Sequence, residues 1–384
     1  MRELFVMPEV QSFKTFKDFA EAHELGTGDL IVTNKPLLPN YESDVPAGVD
    51  IICVEDYGKG EPTDIQFEAI QDDMIDKGYD RIIALGGGSA IDISKALCAA
   101  EGRDLDQLFD EKPENLRRTI KLYCVPTTCG TGSEVTVTAV FDRTRKGTKM
   151  GLTNYALGTD YAILIPELLK TLPAVVFGTS SIDALIHAIE SYLDMAQATV
   201  GSRLFAERAM DMILKVYKAL EKEGLENRDK YLLDMQLASN FAGVAIANAL
   251  PSASHAMGYP FAGKFHRPHG ESCYVFLDVT LKKYLTDVQA GNVNDEQKKI
   301  WRSFMDIISG AMGEAGEPDD KVLDDLDKLL GVICAKKSLR AYGATEEDCV
   351  EFGKNCYAQQ QRLMSCAFTQ FTEQELIDAF LAVY

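Results

Sequence analysis

IIALGGGSAIDISKALC, residues 82–98, runs from an apolar stretch through Gly86-Gly87-Gly88-Ser89 into a segment with helical character. Four apolar residues followed directly by three glycines predict a buried strand, a tight turn and a helix. Glycines let a backbone approach a phosphate closely, and a helix start offers free N–H donors at a positive dipole end. The G-x-G-x-x-G spacing of the usual dinucleotide fingerprint is absent. The turn alone therefore fits an ordinary strand-to-helix connection equally well.

The flanking sequence repeats the pattern. Residues 30–33 (LIVT), 50–54 (DIICV), 81–88 (RIIALGGG) and 121–128 (KLYCVPTT) predict buried strands. Between them, TDIQFEAIQDDMIDKGY at 63–79 has the three-to-four spacing of an amphipathic helix. Alternating strands and helices predict a parallel sheet with helices on both faces. After LLKTLPAVVFGTSS at 168–181 the texture changes to a series of helices with few β-branched runs. The expected division, near Pro173, is an α/β nucleotide-binding domain over residues 1–174 and an all-helical domain over 175–384.

A second loop signal follows the last of these strands. VPTTCGTGSEVTVTAVF at 125–141 crowds small hydroxyl residues and glycines into one turn. Such a loop supplies donors for a ribose or pyrophosphate, and it also fits plain Thr/Gly turn chemistry. Two glycine-rich loops, both at strand ends, favour a nucleotide more than either does alone.

Composition narrows the partners. The formal charge of −20 opposes nucleic acid or an anionic membrane as the main partner. The nine cysteines are odd in number, scattered, and never spaced C-x-x-C, which predicts neither a disulfide framework nor a Cys-type zinc site. A reducing cytoplasm is the expected location. No apolar run reaches membrane-spanning length, and the charged N-terminal stretch lacks a signal-peptide core.

Only five histidines occur, and three of them, His255, His266 and His269, fall in SASHAMGYPFAGKFHRPHGES at 252–272. In SSIDALIHAIESYLD at 180–194, Asp183, His187 and Glu190 share one helix face at i, i+4 and i+7. An Asp and a His one turn apart can bind one metal, although a solvated polar face with an Asp–His pair fits that helix too. Imidazoles with one carboxylate suit divalent Fe, Zn, Co or Ni. His23 lies apart in an N-terminal helical stretch and reads as surface.

GGGSAIDISK, PTTCGTGSEVT, DALIHAIESY and the H-x₁₃-H segment ending in RPHG, taken in this order, resemble the iron-containing alcohol dehydrogenases, across nearly the whole chain. The resemblance implies Asp183, His187, His255 and His269 as ligands of one metal, Fe²⁺ by family expectation, with Zn²⁺ satisfied by the same set. It implies Asn34, Gly87, Gly88, Ser89, Thr127, Thr128 and Lys149 as cofactor contacts. Many relatives have Asp where this chain has Asn34, beside the adenine ribose. Its absence weakens the sequence argument for NAD over NADP. At Tyr259 many relatives carry a further histidine that moves the hydroxyl proton, which leaves Tyr259, His266 or a water chain for that role.

Within the family, the stretches at 13–34, 258–271, 338–348 and 359–364 look like those of members acting on 4-hydroxybutyrate. The implied reaction is NAD-linked interconversion of 4-hydroxybutyrate and succinic semialdehyde. An acid substrate needs a cation in its pocket, and Lys264, His266, Arg267 and Arg362 are the candidates. Homodimers are common among relatives and are the expected assembly. Two enzyme alternatives stand beside this reading, with a non-catalytic metal- or nucleotide-binding protein as a third. One is a same-family dehydrogenase of a simple alcohol or diol. The other is a dehydroquinate synthase-like lyase, whose basic phosphate-binding cluster is not evident here.

Overall fold

The computed structural model describes residues 3–384. The chain divides into two compact units, Val6–Leu172 and Pro173–Tyr384, with residues 3–5 grouped with the second.

The first unit contains β1 (Glu9–Ser12), α1 (Phe16–Ala22), β2 (Asp29–Thr33), β3 (Asp50–Cys53), α2 (Asp64–Met74), β4 (Arg81–Gly86), α3 (Gly88–Ala100), α4 (Leu105–Asp110), β5 (Lys121–Pro126), β6 (Thr138–Arg143), β7 (Thr148–Thr153) and β8 (Tyr161–Leu164). Six strands form one parallel sheet in the order β1-β8-β5-β4-β2-β3. Every residue of β2 is buried, as are all but the first of β4 and of β5. Burial on both faces is why these strands read as continuous apolar runs. One face packs Leu30, Val32, Ile82, Ala84 and Leu122 against Phe67 and Ile70 of α2 and Ile91 of α3. A Thr63/Gln66 capping box starts α2, with each side chain accepting from the other residue's backbone N–H.

The four predicted strands are present as β2 to β5. No predicted strand covers β1 and β8, which extend the sheet, or the antiparallel β6/β7 hairpin outside it. β1 reads EVQS and is mostly exposed at the sheet edge, so no apolar run marks it. β7 is exposed along most of its length.

The second unit is helical: α5 (Ala174–Leu193), α6 (Val200–Glu223), α7 (Leu232–Ala247), α8 (Ala253–Phe265), α9 (His269–Ala290), α10 (Asp295–Met312), α11 (Asp319–Ile333), α12 (Glu346–Gln359), α13 (Gln361–Met364) and α14 (Glu373–Ala382). α5 packs against α6, α7 and α9, and it is buried on all sides from Ser181 to Leu193. A helix surrounded by others buries its polar residues too, and these must find partners inside. Among the described residues, no helix is long and apolar enough to cross a membrane. All nine cysteines are free thiols.

Candidate active site

In the helical unit, Asp183, His187, His255 and His269 offer ligand atoms that all lie within 4.8 Å of one another. Asp183 and His187 come from the middle of α5, His255 from the first turn of α8, and His269 from the start of α9. Asp183, His187 and His255 are 3%, 7% and 1% exposed, so the shared face of α5 is buried rather than solvated. The His187 and His255 rings stack with centroids 4.9 Å apart, and His269 lies 5.1 Å from His255. Gly270 permits this approach. A Cβ there would sit 2.5 Å from Thr179 O and 2.9 Å from Asp183 Cβ, so a side chain would push α9 off α5.

Glu190, one further turn along α5, has the role that spacing alone did not reveal. Its Oε2 accepts from His255 Nδ1 at 2.6 Å and from Ser252 N at 2.7 Å, and its Oε1 accepts from Ser254 N at 2.7 Å. The carboxylate thus caps the start of α8 from another helix and fixes the His255 ring. Burial alone would raise the Glu190 pKa, but the His255 charge and hydrogen bond and the two N–H donors hold it below its usual value. With Nδ1 engaged, His255 turns Nε2 towards the cluster, where it is buried, has no hydrogen-bond partner among the described residues, and lies 3.9 Å from Asp183 Oδ1. Burying an unpaired ring nitrogen is costly unless something binds it. Carboxylate-held imidazole is the arrangement that supports a metal-ligating histidine. Three imidazoles and a carboxylate converging in this way fit a divalent cation.

Tyr259 lies beside this cluster, its ring stacked on His269 with centroids 6.1 Å apart. His266 is exposed at the end of α8 with a left-handed φ of 49°, and it is not among the four. Of the four cationic candidates for a substrate carboxylate, Lys264 is exposed and paired with Asp348, and Arg362 is exposed on α13. Arg267 is half-buried. Its Nε donates to Phe265 O at 3.2 Å and its guanidinium lies 5.5 Å from the centre of the Tyr342 ring.

In the α/β unit, the two glycine-rich loops start in register, because Gly86 pairs with Pro126. Thr127 N donates to Gly86 O at 3.0 Å, and a Cβ on Gly87 or Gly88 would touch Thr128 or Thr131. Gly87 is the N-cap of α3 and no side chain among the described residues caps that helix, while Ser89 lies half-buried in its first turn. The uncapped N–H groups suit a pyrophosphate. Asn34 follows β2 directly, and its Oδ1 accepts from Gly87 N at 3.3 Å. Gly86 must lack a side chain here, since a Cβ would lie 2.5 Å from Asn34 Oδ1. Lys149 stands on the exposed β7, with its Nζ held by Glu61 at 2.6 Å.

Residues 10–166 match the iron-containing alcohol dehydrogenase family and residues 177–384 match its C-terminal family, Fe-containing alcohol dehydrogenase. The chain belongs to the iron-containing alcohol dehydrogenase family. It is 36% identical to the 4-hydroxybutyrate dehydrogenase of Clostridium kluyveri over 384 residues, covering all of both chains. A crystal structure of a 1,3-propanediol oxidoreductase superposes with a TM-score of 0.84 at 22% identity, covering all of both chains. A sulfoacetaldehyde reductase from Bifidobacterium kashiwanohense, solved with NAD⁺, superposes at 0.80 with 21% identity, over 100% of this chain and 98% of that one.

Proposed function

We propose that this protein is an NAD-linked, metal-dependent dehydrogenase that interconverts 4-hydroxybutyrate and succinic semialdehyde. The observation that carries the chemistry is the buried convergence of Asp183, His187, His255 and His269. The substrate reading rests on the full-length likeness to the clostridial enzyme. In this reading the four residues hold one divalent ion, Fe²⁺ by family, and residues 175–384 form the metal and substrate domain. Residues 1–174 bind NAD through Asn34, Gly87, Gly88, Ser89, Thr127, Thr128 and Lys149.

Bound there, a divalent ion would supply Lewis acidity towards the substrate oxygen, and NAD would supply the hydride acceptor. The chain's own residues do the rest. Glu190 keeps the His255 ring oriented. Tyr259, whose ring stacks on His269, is the residue we assign to exchange the alcohol proton. Tyr259→Phe should lower kcat by about 100-fold or more while metal content stays at the wild-type level. Unchanged turnover in that variant would exclude the tyrosine from proton transfer.

Arg267 is the cation we assign to the substrate carboxylate, because its guanidinium is held over Tyr342 whereas Lys264 and Arg362 are exposed. The test is a panel of 4-hydroxybutyrate, 1,3-propanediol and butanol, followed by NADH absorbance. Wild-type kcat/KM should favour the acid by about tenfold or more, and Arg267→Met should raise KM for the acid by a similar factor and leave butanol unaffected. A preference for butanol or the diol would replace this substrate reading with the simple-alcohol one. Equal losses on all three substrates would remove Arg267 from the anchor role.

A further inference from the structure

In a doubly wound parallel sheet, a nucleotide binds at the carboxyl ends of the strands where the strand order reverses. Here β2 lies between β3 and β4, and the chain visits β3 on one side before crossing to β4 on the other. The reversal falls at the ends of β2 and β4, where Asn34 meets Gly87. With a pyrophosphate at the start of α3, the adenine ribose lies over the end of β2. An acid usually stands there to take the ribose hydroxyl, and Asn34 carries no charge.

A carboxylate is present nevertheless, from the next strand. Glu55 sits in the short 3-10 turn after β3, Val54–Asp56. Its Oε1 accepts from Asn34 Nδ2 at 3.0 Å, and its Oε2 accepts from Lys35 N at 2.7 Å. These two donors clamp the carboxylate beside Asn34 and leave lone pairs for a further donor. The Lys35 ammonium does not pair with it, because its Nζ turns to Asp56 at 2.6 Å. Of these three side chains, Glu55 and Asp56 outweigh the single charge of Lys35 and leave a net negative charge.

We propose that Glu55 is the residue that selects NAD over NADP. It accepts from a ribose 2′-hydroxyl and repels a 2′-phosphate, and Asn34 acts as the bridge that ties this carboxylate to the glycine turn. The proposal rests on the reading above that this edge binds a nicotinamide dinucleotide.

Direct binding separates the two. NAD⁺ and NADP⁺ are titrated by calorimetry into the wild-type enzyme, Glu55→Gln and Glu55→Ala, with Asp56→Asn as a charge control. Wild type should bind NAD⁺ tighter by about tenfold or more, and both Glu55 variants should shrink that ratio about tenfold through a gain in NADP⁺ affinity. Asp56→Asn should shrink it less. If wild type prefers NAD⁺ and the Glu55 variants keep the same ratio, Glu55 has no such role and the cofactor reading stands. Equal weakening of both nucleotides in the Glu55 variants would also overturn selection, since it marks a purely structural clamp. If wild type binds neither nucleotide, the cofactor reading itself fails and takes this assignment with it.

Discussion

Asp183→Asn should purify as a folded protein that is nearly free of metal and turns over alcohol poorly. Asp183 is the one carboxylate among the four converging residues, so the substitution removes the only negative charge in the set while keeping side-chain size. Losing a partner that merely orients a ligand costs about 10–100-fold in metal affinity. Losing the ligand itself should exceed that, and Glu190→Gln should fall within it. Two measurements check this: elemental analysis after anaerobic purification, and thermal unfolding with and without added Fe²⁺ or Zn²⁺. Ligand binding to the native state raises its melting temperature by mass action, so added metal should stabilise the wild type and leave Asp183→Asn unmoved. Exhaustive chelation of the wild type should abolish turnover, with return on re-adding metal. An Asp183→Asn enzyme with full metal content and wild-type rate would defeat the metal assignment.

Lys95→Met should strongly destabilise the α/β unit without touching the metal site. Lys95 is fully buried on α3. Its Nζ donates to Ser133 Oγ at 2.9 Å, Thr136 Oγ1 at 3.0 Å and Thr138 O at 2.8 Å, and it lies 4.0 Å from Asp92 Oδ1. Burial pushes the Lys95 pKa down and the Asp92 pKa up. Three oxygens around Nζ match the three N–H donors of an ammonium, which is the form this cage accommodates. Asp92 also accepts from Ser133 Oγ and from Val140 N, so the pair pins both the 126–136 loop and β6 to α3.

Removing one partner of a buried pair leaves the other charge uncompensated, at a cost of about 3–5 kcal/mol. For a unit of this size, that corresponds to a fall in melting temperature of roughly 10 °C. Calorimetry reads it directly, and Asp92→Asn combined with Lys95→Met should recover part of the loss because the stranded charge is gone. A single variant melting within about one degree of wild type would show that the pair contributes little. NAD⁺ affinity should fall along with stability, since the pinned loop carries Thr127, which donates to Gly86 O, and Thr128, which lies beside Gly87.

These two sites differ in how far the sequence exposed them. The α/β architecture was legible because β2, β4 and β5 are buried on both faces and therefore read as unbroken apolar runs. β1 was not, since an edge strand of sequence EVQS carries no such run, and its pairing with β8 is a relation between segments far apart in the chain. The missed β7 faces solvent for most of its length, so no buried alternation marks it.

By itself the sequence determined the relations that act within one element or one turn. The spacing of Asp183, His187 and Glu190 puts them on one face of any helix, because 3.6 residues per turn is a property of the backbone. Three glycines after an apolar run likewise specify a close turn before a helix starts. Which histidines meet was decided by tertiary packing. His269 reaches the cluster through the close contact of α9 with α5 at Gly270, while His266, three residues earlier, stays exposed at the end of α8. Packing also decided that Glu190 serves His255 on another helix, that Lys95 is caged, and that Glu55 stands beside Asn34. Each of these contacts joins residues tens of positions apart. Local periodicity carries no information about such distances, which arise only when the buried faces of several elements close on one another.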